Sequence, residues 1–152
     1  MNENLIFLQV SGIETAEEAL TYLGNRLREQ QFVKDTFVSA IIERENIFPT
    51  GLQFEGYGVA LPHTDAKHVT QTQVAVMTLE KPVTFTQMAS KDQEVAVQLI
   101  VMLAIKEAHS QLEMLQTLMG VLQDRDLVQD ILACRANQQD QVLELLSSHN
   151  IL

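Results

Sequence analysis

The feature that most restricts the fold is an apolar run in the second half of the chain. Residues 94–105 are nearly all apolar after the first few positions, and the run is rich in valine, isoleucine and leucine. This pattern predicts a strand that is buried on both faces. Such a strand needs helices on each side of its sheet. The run therefore predicts an α/β fold in which a mixed, mostly parallel β-sheet is flanked by helices on both faces.

The segments before the apolar run alternate between strand and helix patterns, as this fold requires. Residues 5–10 predict a first strand, and the capping-box spacing of Thr15 and Glu18 predicts the start of a helix over residues 16–30. Asp35 is expected to cap a second helix that ends near Arg44 and Glu45. Residues 49–51 predict a turn, and residues 52–60 an irregular approach to a strand. Residues 72–79 predict another strand, which Lys81-Pro82 should end, with residues 83–85 as a short extension.

Helical patterns dominate after residue 110. Leu112, Leu115, Leu118 and Met119 have the spacing of one helical face. Residues 127–134 and 138–147 predict two further helices. With 152 residues and no linker or repeat, the whole chain 1–152 is expected to form a single domain.

Composition restricts the partners. The formal charge of −10 argues against nucleic acid and anionic membranes, because both require a basic surface. No apolar run is long enough to cross a bilayer, and the N-terminus lacks the basic opening of a secretory signal, so a cytoplasmic location without membrane insertion is expected. The single cysteine, Cys134, fits a reducing compartment and is expected to pack inside a helix.

One short segment carries the candidate chemistry. Residues 56–65, Gly-Tyr-Gly-Val-Ala-Leu-Pro-His-Thr-Asp, bring one histidine, His63, to the end of a predicted buried strand. A neutral imidazole is a competent nucleophile near pH 7, and one ring nitrogen can attack while the other is held by a hydrogen bond. Pro62 restricts the backbone before it. From these residues alone, the alternative that His63 is an ordinary loop residue stays open.

Two segments resemble a known family. Gly58-Val59-Ala60-Leu61-Pro62-His63 resembles the phosphohistidine motif of the enzyme IIA proteins of the fructose/mannitol/galactitol class of the bacterial phosphoenolpyruvate-dependent sugar phosphotransferase system. The segment from Arg44 to Leu52, an Arg-Glu pair followed by Thr-Gly, resembles a second block of that family. Order and separation also fit, and the likeness to the galactitol type is strongest. The resemblance implies that the chain is a phosphotransferase, an enzyme IIA type-2 domain whose fold is α/β.

The resemblance also implies roles for individual residues. His63 would be phosphorylated, Arg44 would stabilise the phosphoryl group, and His109, ahead of a leucine-rich helix, would assist. Thr50 and Thr64 are expected to bind phosphate through their hydroxyls. Each residue also has a simpler interpretation: Arg44 as an exposed helix-end arginine, Thr50 as a turn residue and His109 as a solvent-facing side chain.

The same resemblance implies the partners. The chain would accept phosphate from the small carrier HPr and pass it to a cysteine of a sugar-specific enzyme IIB, which acts with a membrane subunit IIC in the uptake of a polyol or sugar, with galactitol favoured. No cofactor and no metal are expected, since the spacing of His63 and His68 suits neither a helix face nor a strand face. Two alternatives remain: a regulatory IIA paralogue that acts by phosphorylation-dependent protein binding, and a non-catalytic α/β ligand-binding module.

Overall fold

The apolar run forms the middle strand of a five-stranded sheet. The structure is a computed structural model that describes residues 2–151. Its strands are β1 (Ile6–Val10), β2 (Gly51–Phe54), β3 (Tyr57–Ala60), β4 (Gln73–Thr86) and β5 (Glu94–Ala104), and its α-helices are α1 (Ala16–Glu29), α2 (Phe37–Ile47), α3 (Ala108–Val121), α4 (Arg125–Leu132) and α5 (Gln139–Ser147).

The sheet is mixed, as the sequence predicted. Its strand order is β1-β4-β5-β3-β2. The pairs β1–β4 and β3–β5 are parallel, and the pairs β4–β5 and β2–β3 are antiparallel, so the parallel character expected of the sheet applies to half of its neighbouring pairs. β3 and β5 run side by side and end at the same edge of the sheet, where the His63 loop begins.

The core lies in two layers, one on each face of the sheet, which confirms the predicted helices on both faces. One layer joins the sheet to α1 and α2 through side chains such as Leu23 and Phe37. The other joins it to α3, α4 and α5 through side chains such as Leu118 and Val128.

The middle strand contributes to both core layers. Val101 and Leu103 of β5 belong to the layer under α3, α4 and α5. Ile100 and Met102 belong to the layer under α1 and α2. Successive side chains of a strand point to opposite faces of its sheet, so this alternation buries β5 on both faces, as the sequence predicted.

Two strand predictions need correction. Lys81 and Pro82 do not end β4, because the strand continues to Thr86 through a bulge in which its pairing with β5 shifts between Thr78 and Val83. The proline is accommodated there because a bulge leaves backbone groups outside the ladder. Residues 52–60 are not an irregular approach to one strand but a hairpin of two, β2 and β3. Gly56, with a φ of +86°, makes the reversal between them possible.

The starts of the first two helices follow the predictions in part. Thr15 does cap α1 by accepting a hydrogen bond from the Glu18 backbone N–H, but the Glu18 carboxylate reaches back to the N–H of Glu14 rather than that of Thr15. Asp35 does not cap α2, whose N-cap residue is Thr36. The second helix also runs slightly past the predicted end, to Ile47.

Two predictions for the later helices also need correction. Leu112 was expected on the packed face of α3 and is instead 53% exposed. Cys134 is buried, but it lies just after the end of α4 rather than inside that helix, because the helix stops at Leu132. Its thiol donates to the Asp130 carbonyl oxygen over 3.3 Å.

Two glycines, Gly51 in β2 and Gly58 in β3, allow the backbones of neighbouring strands to approach closely. A Cβ atom at Gly58 would overlap the Ala96 carbonyl oxygen, and one at Gly51 would lie 2.6 Å from that of Thr86. Larger residues at either position would force the strands apart.

Within residues 2–151, no helix is long and apolar enough to cross a membrane.

Candidate functional site

Backbone pairing with the central strand holds His63 beyond the carboxyl end of β3. It follows β3 by three residues and forms an isolated parallel bridge with Leu103 of β5. The Leu103 N–H donates to the Pro62 carbonyl oxygen over 2.9 Å. The loop that carries the histidine is therefore anchored at the carboxyl ends of two parallel strands, where ligand sites of α/β sheets commonly lie.

Both ring nitrogens of His63 have partners. Nδ1 lies 2.8 Å from the Leu61 carbonyl oxygen, which only accepts hydrogen bonds, so Nδ1 carries the hydrogen. In the neutral ring Nε2 then holds the lone pair, and it lies 3.4 Å from Nη2 of Arg44, which only donates. This tautomer leaves Nε2 as the nucleophilic atom.

The surroundings of His63 favour its neutral form. The residue is only 8% exposed. Burial lowers its pKa below the ordinary value of 6.5, the Leu61 carbonyl opposes that change, and the positive charge of Arg44 lowers the pKa further. A deprotonated Nε2 near neutral pH is what a nucleophilic histidine needs.

Arg44 comes from the last turn of α2 and reaches His63 through Nη2. Its guanidinium carbon is 5.1 Å from the centre of the Phe48 ring, within range of a cation–π contact. Its Nε is buried and has no hydrogen-bond partner among residues 2–151. Nε and Nη2 form one edge of the guanidinium, which can grip two oxygens of an anion. Arg44 is therefore not simply an exposed helix-end arginine.

Thr50 is engaged by a carboxylate. Its N–H donates to Oε2 of Glu45 and its hydroxyl to Oε1, each over 2.7 Å. Because a hydroxyl has one hydrogen, Thr50 has no donor left for a phosphoryl group in this arrangement. The structure thus favours the simpler interpretation of Thr50, which stabilises the turn between α2 and β2.

Thr64 borders the cleft beside Arg44. This cleft has a volume of about 320 Å³ and is lined by residues of α2 and of the loop after His63: Ala40, Glu43, Arg44, Ile47, Phe48, Thr64, Asp65, Lys67 and His68. The Thr64 carbonyl accepts a hydrogen bond from Nε2 of Gln111 over 3.1 Å. Gln111 therefore ties the start of α3 to the histidine loop.

His109 occupies a different environment. It lies in the first turn of α3, its side chain is 76% exposed, and its Nε2 is 2.9 Å from Oε1 of Glu113. No hydrogen bond joins it to His63 or Arg44 among the described residues. The structure therefore brings together His63, Arg44 and Thr64, but it does not connect His109 to them directly.

The comparisons with known proteins identify the family. The family model for "Phosphoenolpyruvate-dependent sugar phosphotransferase system, EIIA 2" matches residues 1–149. The chain belongs to this EIIA family. Components of this type are phosphotransferases.

Individual relatives agree with this assignment. The chain is 35% identical over 130 residues to the galactitol-specific EIIA component of Escherichia coli (strain K12), covering 84% of this chain and 86% of that protein. The crystal structure of IIA mannitol from E. coli matches with a TM-score of 0.76 at 26% identity, over 96% of this chain and 98% of that one. A chain in the NMR structure of the complex of enzyme IIA and phosphorylated enzyme IIB for mannitol from E. coli also matches. Its TM-score is 0.75 at 26% identity, and the match covers 97% of this chain and 97% of that one.

The sequence motifs did not reveal the residues that support His63. Leu61 acts through its backbone carbonyl, which no side-chain pattern reports. Glu45 was known only as half of an Arg-Glu pair, and Gln111 carried no signal. Within the described part of the chain, no group of three or more His, Cys, Asp or Glu side chains is placed to hold a metal ion.

Proposed function

We propose that this EIIA protein is a phosphoryl carrier that accepts phosphate from phospho-HPr on His63 and passes it to a cysteine of a cognate enzyme IIB. The enzyme IIB would act with a membrane IIC subunit in the uptake and phosphorylation of a polyol or sugar, galactitol being favoured by the relative that is 35% identical. All residues 1–152 would form this one domain, located in the cytoplasm.

The observation that carries the proposal is the tautomer of His63. Nδ1–H donates to the Leu61 carbonyl, so the Nε2 lone pair faces Arg44. In the forward step this lone pair attacks the phosphorus of the phosphohistidine on HPr. The Nε2–P bond forms as the donor N–P bond breaks, and the bonding electrons return to the donor ring. No proton has to move, because Nδ1 keeps its hydrogen throughout.

Arg44 has two successive tasks in this mechanism. It first lies 3.4 Å from Nε2, in the region that the incoming phosphorus must occupy. It therefore has to withdraw from the nitrogen before the bond forms. Its Nε, which is not used in other hydrogen bonds of the described chain, and its Nη2 then bind oxygens of the phosphoryl group. This arrangement stabilises the charge of the transferred group without a metal ion.

The second transfer restores the starting state. A thiolate of enzyme IIB attacks the phosphorus, an S–P bond forms, and the Nε2–P bond breaks with its electrons returning to Nε2. The phosphorylated ring keeps Nδ1–H, so it carries positive charge and leaves readily. The Leu61 carbonyl stabilises that charge through its hydrogen bond.

The surface near the site supports contact with partner proteins. Ile47 and Phe48 line the cleft with Arg44 and are 63% and 58% exposed. Exposed large apolar side chains beside a reactive group favour protein docking, because a docked partner excludes water from the transfer.

The test is phosphorylation by the purified upstream components. Incubation with phosphoenolpyruvate, enzyme I and HPr should give acid-labile, alkali-stable phosphate on the wild-type chain and none on His63→Ala. A folded His63→Ala variant that is labelled as well as the wild type would move the site elsewhere. No labelling of the wild type would favour a ligand-binding module. Genes for IIB and IIC beside this gene would support transport, and their absence a regulatory role.

A further inference from the structure

Glu45 is a carboxylate that the phosphoryl transfer itself does not use. It follows Arg44 in α2, but it does not line the cleft that Arg44 borders. Both of its oxygens are bonded to Thr50, one by the backbone N–H and one by the hydroxyl. Burial raises its pKa above the ordinary 4.5, while the Thr50 hydrogen bonds and the Arg44 charge oppose that change. A half-buried carboxylate is costly unless it is hydrogen-bonded, and here Thr50 supplies a bond to each oxygen.

A series of hydrogen bonds leads from Glu45 to the nucleophile. Thr50, held by Glu45, accepts the Leu61 N–H through its carbonyl oxygen over 3.2 Å. The Leu61 carbonyl in turn accepts from Nδ1 of His63 over 2.8 Å. We call these four residues, Glu45, Thr50, Leu61 and His63, the Glu45 chain. These bonds connect Glu45 to the imidazole in addition to the β5 pairing that anchors the histidine loop.

We propose that Glu45 is a positioning residue that, through Thr50 and Leu61, holds His63 in the Nδ1–H tautomer with Nε2 free to attack. The inference rests on the proposed function, because it concerns the acceptor atom of that reaction. Its structural part does not depend on any partner protein.

The geometry assigns Glu45 to hydrogen bonding rather than to an ion pair with Arg44. No nitrogen of Arg44 lies within 4.0 Å of the Glu45 carboxylate among the described residues. A glutamine at this position can still accept the Thr50 N–H through its oxygen and donate to the Thr50 hydroxyl oxygen through its amide nitrogen. Glu45→Gln therefore keeps the hydrogen bonds and removes the charge, whereas Glu45→Ala removes both.

The first measurement is the tautomer of His63 in the unphosphorylated full chain, read from the ¹⁵N shifts of its ring nitrogens by NMR. The wild type and Glu45→Gln should show Nδ1–H as the dominant form near neutral pH. Glu45→Ala and Thr50→Val should show a mixture of both tautomers. Thr50→Val provides a milder change if Glu45→Ala does not fold, because it removes only the hydroxyl link.

The second measurement is the rate of phosphoryl transfer from phospho-HPr. Glu45→Ala should be about tenfold slower or more, since small displacements of a reacting atom have large effects on rate. Glu45→Gln should stay within about threefold of the wild type. Two controls test whether loss of any carboxylate or any loss of stability has the same effect. Glu17→Ala removes an exposed carboxylate on α1. Ile41→Val weakens the packing of α2 and leaves the residues of the Glu45 chain unchanged. Both should keep the wild-type tautomer.

The outcomes distinguish this inference from the proposed function. If Glu45→Ala and Thr50→Val keep the wild-type tautomer and rate, the positioning role is wrong, while labelling of His63 still supports the carrier. A slow Glu45→Gln with an unchanged tautomer would overturn positioning in favour of a charge effect. If the wild type is not labelled by phospho-HPr, the proposed function fails, and the tautomer measurement still decides whether Glu45 orients the ring.

Discussion

The two sides of the candidate site are built in different ways. On the α2 side, Arg44 lies 3.4 Å from His63, and the Glu45 chain reaches the same ring through buried and partly buried hydrogen bonds. On the α3 side, His109 is exposed and paired with Glu113, and the attachment to the histidine loop is the bond from Gln111 to Thr64. One side is organised before any partner binds, and the other presents side chains to solvent.

This difference suggests a division of labour. We expect the α2 side to hold the tautomer and therefore the nucleophilic atom, which have to be correct before phosphate arrives. The α3 side offers groups whose positions can change when a partner docks. Substitutions on the α2 side should therefore reduce transfer strongly, and those on the α3 side weakly.

The largest effect among the supporting residues is expected for Arg44→Ala. It removes the donors assigned to the phosphoryl oxygens, so transfer from phospho-HPr should slow about 100-fold or more. The free energy of unfolding should change by only about 1 kcal/mol, because Arg44 leaves a buried donor unsatisfied in the folded protein. Stopped-flow transfer and urea unfolding measure the two quantities. A loss of stability that accounts for the whole loss of rate would make Arg44 a structural residue.

A smaller effect is expected for His109→Gln. The side chain is exposed and already paired with Glu113, so transfer should weaken by less than about tenfold without being abolished. The matched control is His149→Gln, which changes a histidine in the turn after α5. If His109→Gln is as inactive as His63→Ala, the α3 side is as important for transfer as the α2 side, and the division of labour between them is wrong.

The smallest effect is a shift in the pH profile. Because burial lowers the pKa of His63, the midpoint of the acid limb of the transfer rate should lie below pH 6.5. Between the lowered pKa and 6.5, the unfolded chain binds more protons at His63 than the folded chain does. The free energy of unfolding therefore decreases as the pH falls through this range. Arg44→Ala should move the acid limb to higher pH and His109→Gln should not. Equal shifts would contradict the division between the two sides.

The fold was more predictable than the support of the site. The buried run of β5 and the cap at Thr15 depend on local sequence, and both predictions were confirmed. Residues 83–85 were predicted as a short extension, but the passage of β4 through Lys81-Pro82 without a break was not, because it depends on pairing with β5 through a bulge. The same limit applies to Leu61 and Gln111, whose contacts with the histidine loop form only after folding. The bonds from Thr50 to Glu45 were likewise not predicted, because they depend on where α2 ends relative to β2 in the folded chain.

The most direct test of the account is to locate the phosphoryl group on the histidine ring. In ¹⁵N-histidine-labelled protein phosphorylated by phospho-HPr, NMR should show phosphorus bonded to Nε2 of His63, with the hydrogen still on Nδ1. Phosphorus on Nδ1, or on His68, His109 or His149, would contradict the claim that the Leu61 hydrogen bond selects the attacking atom.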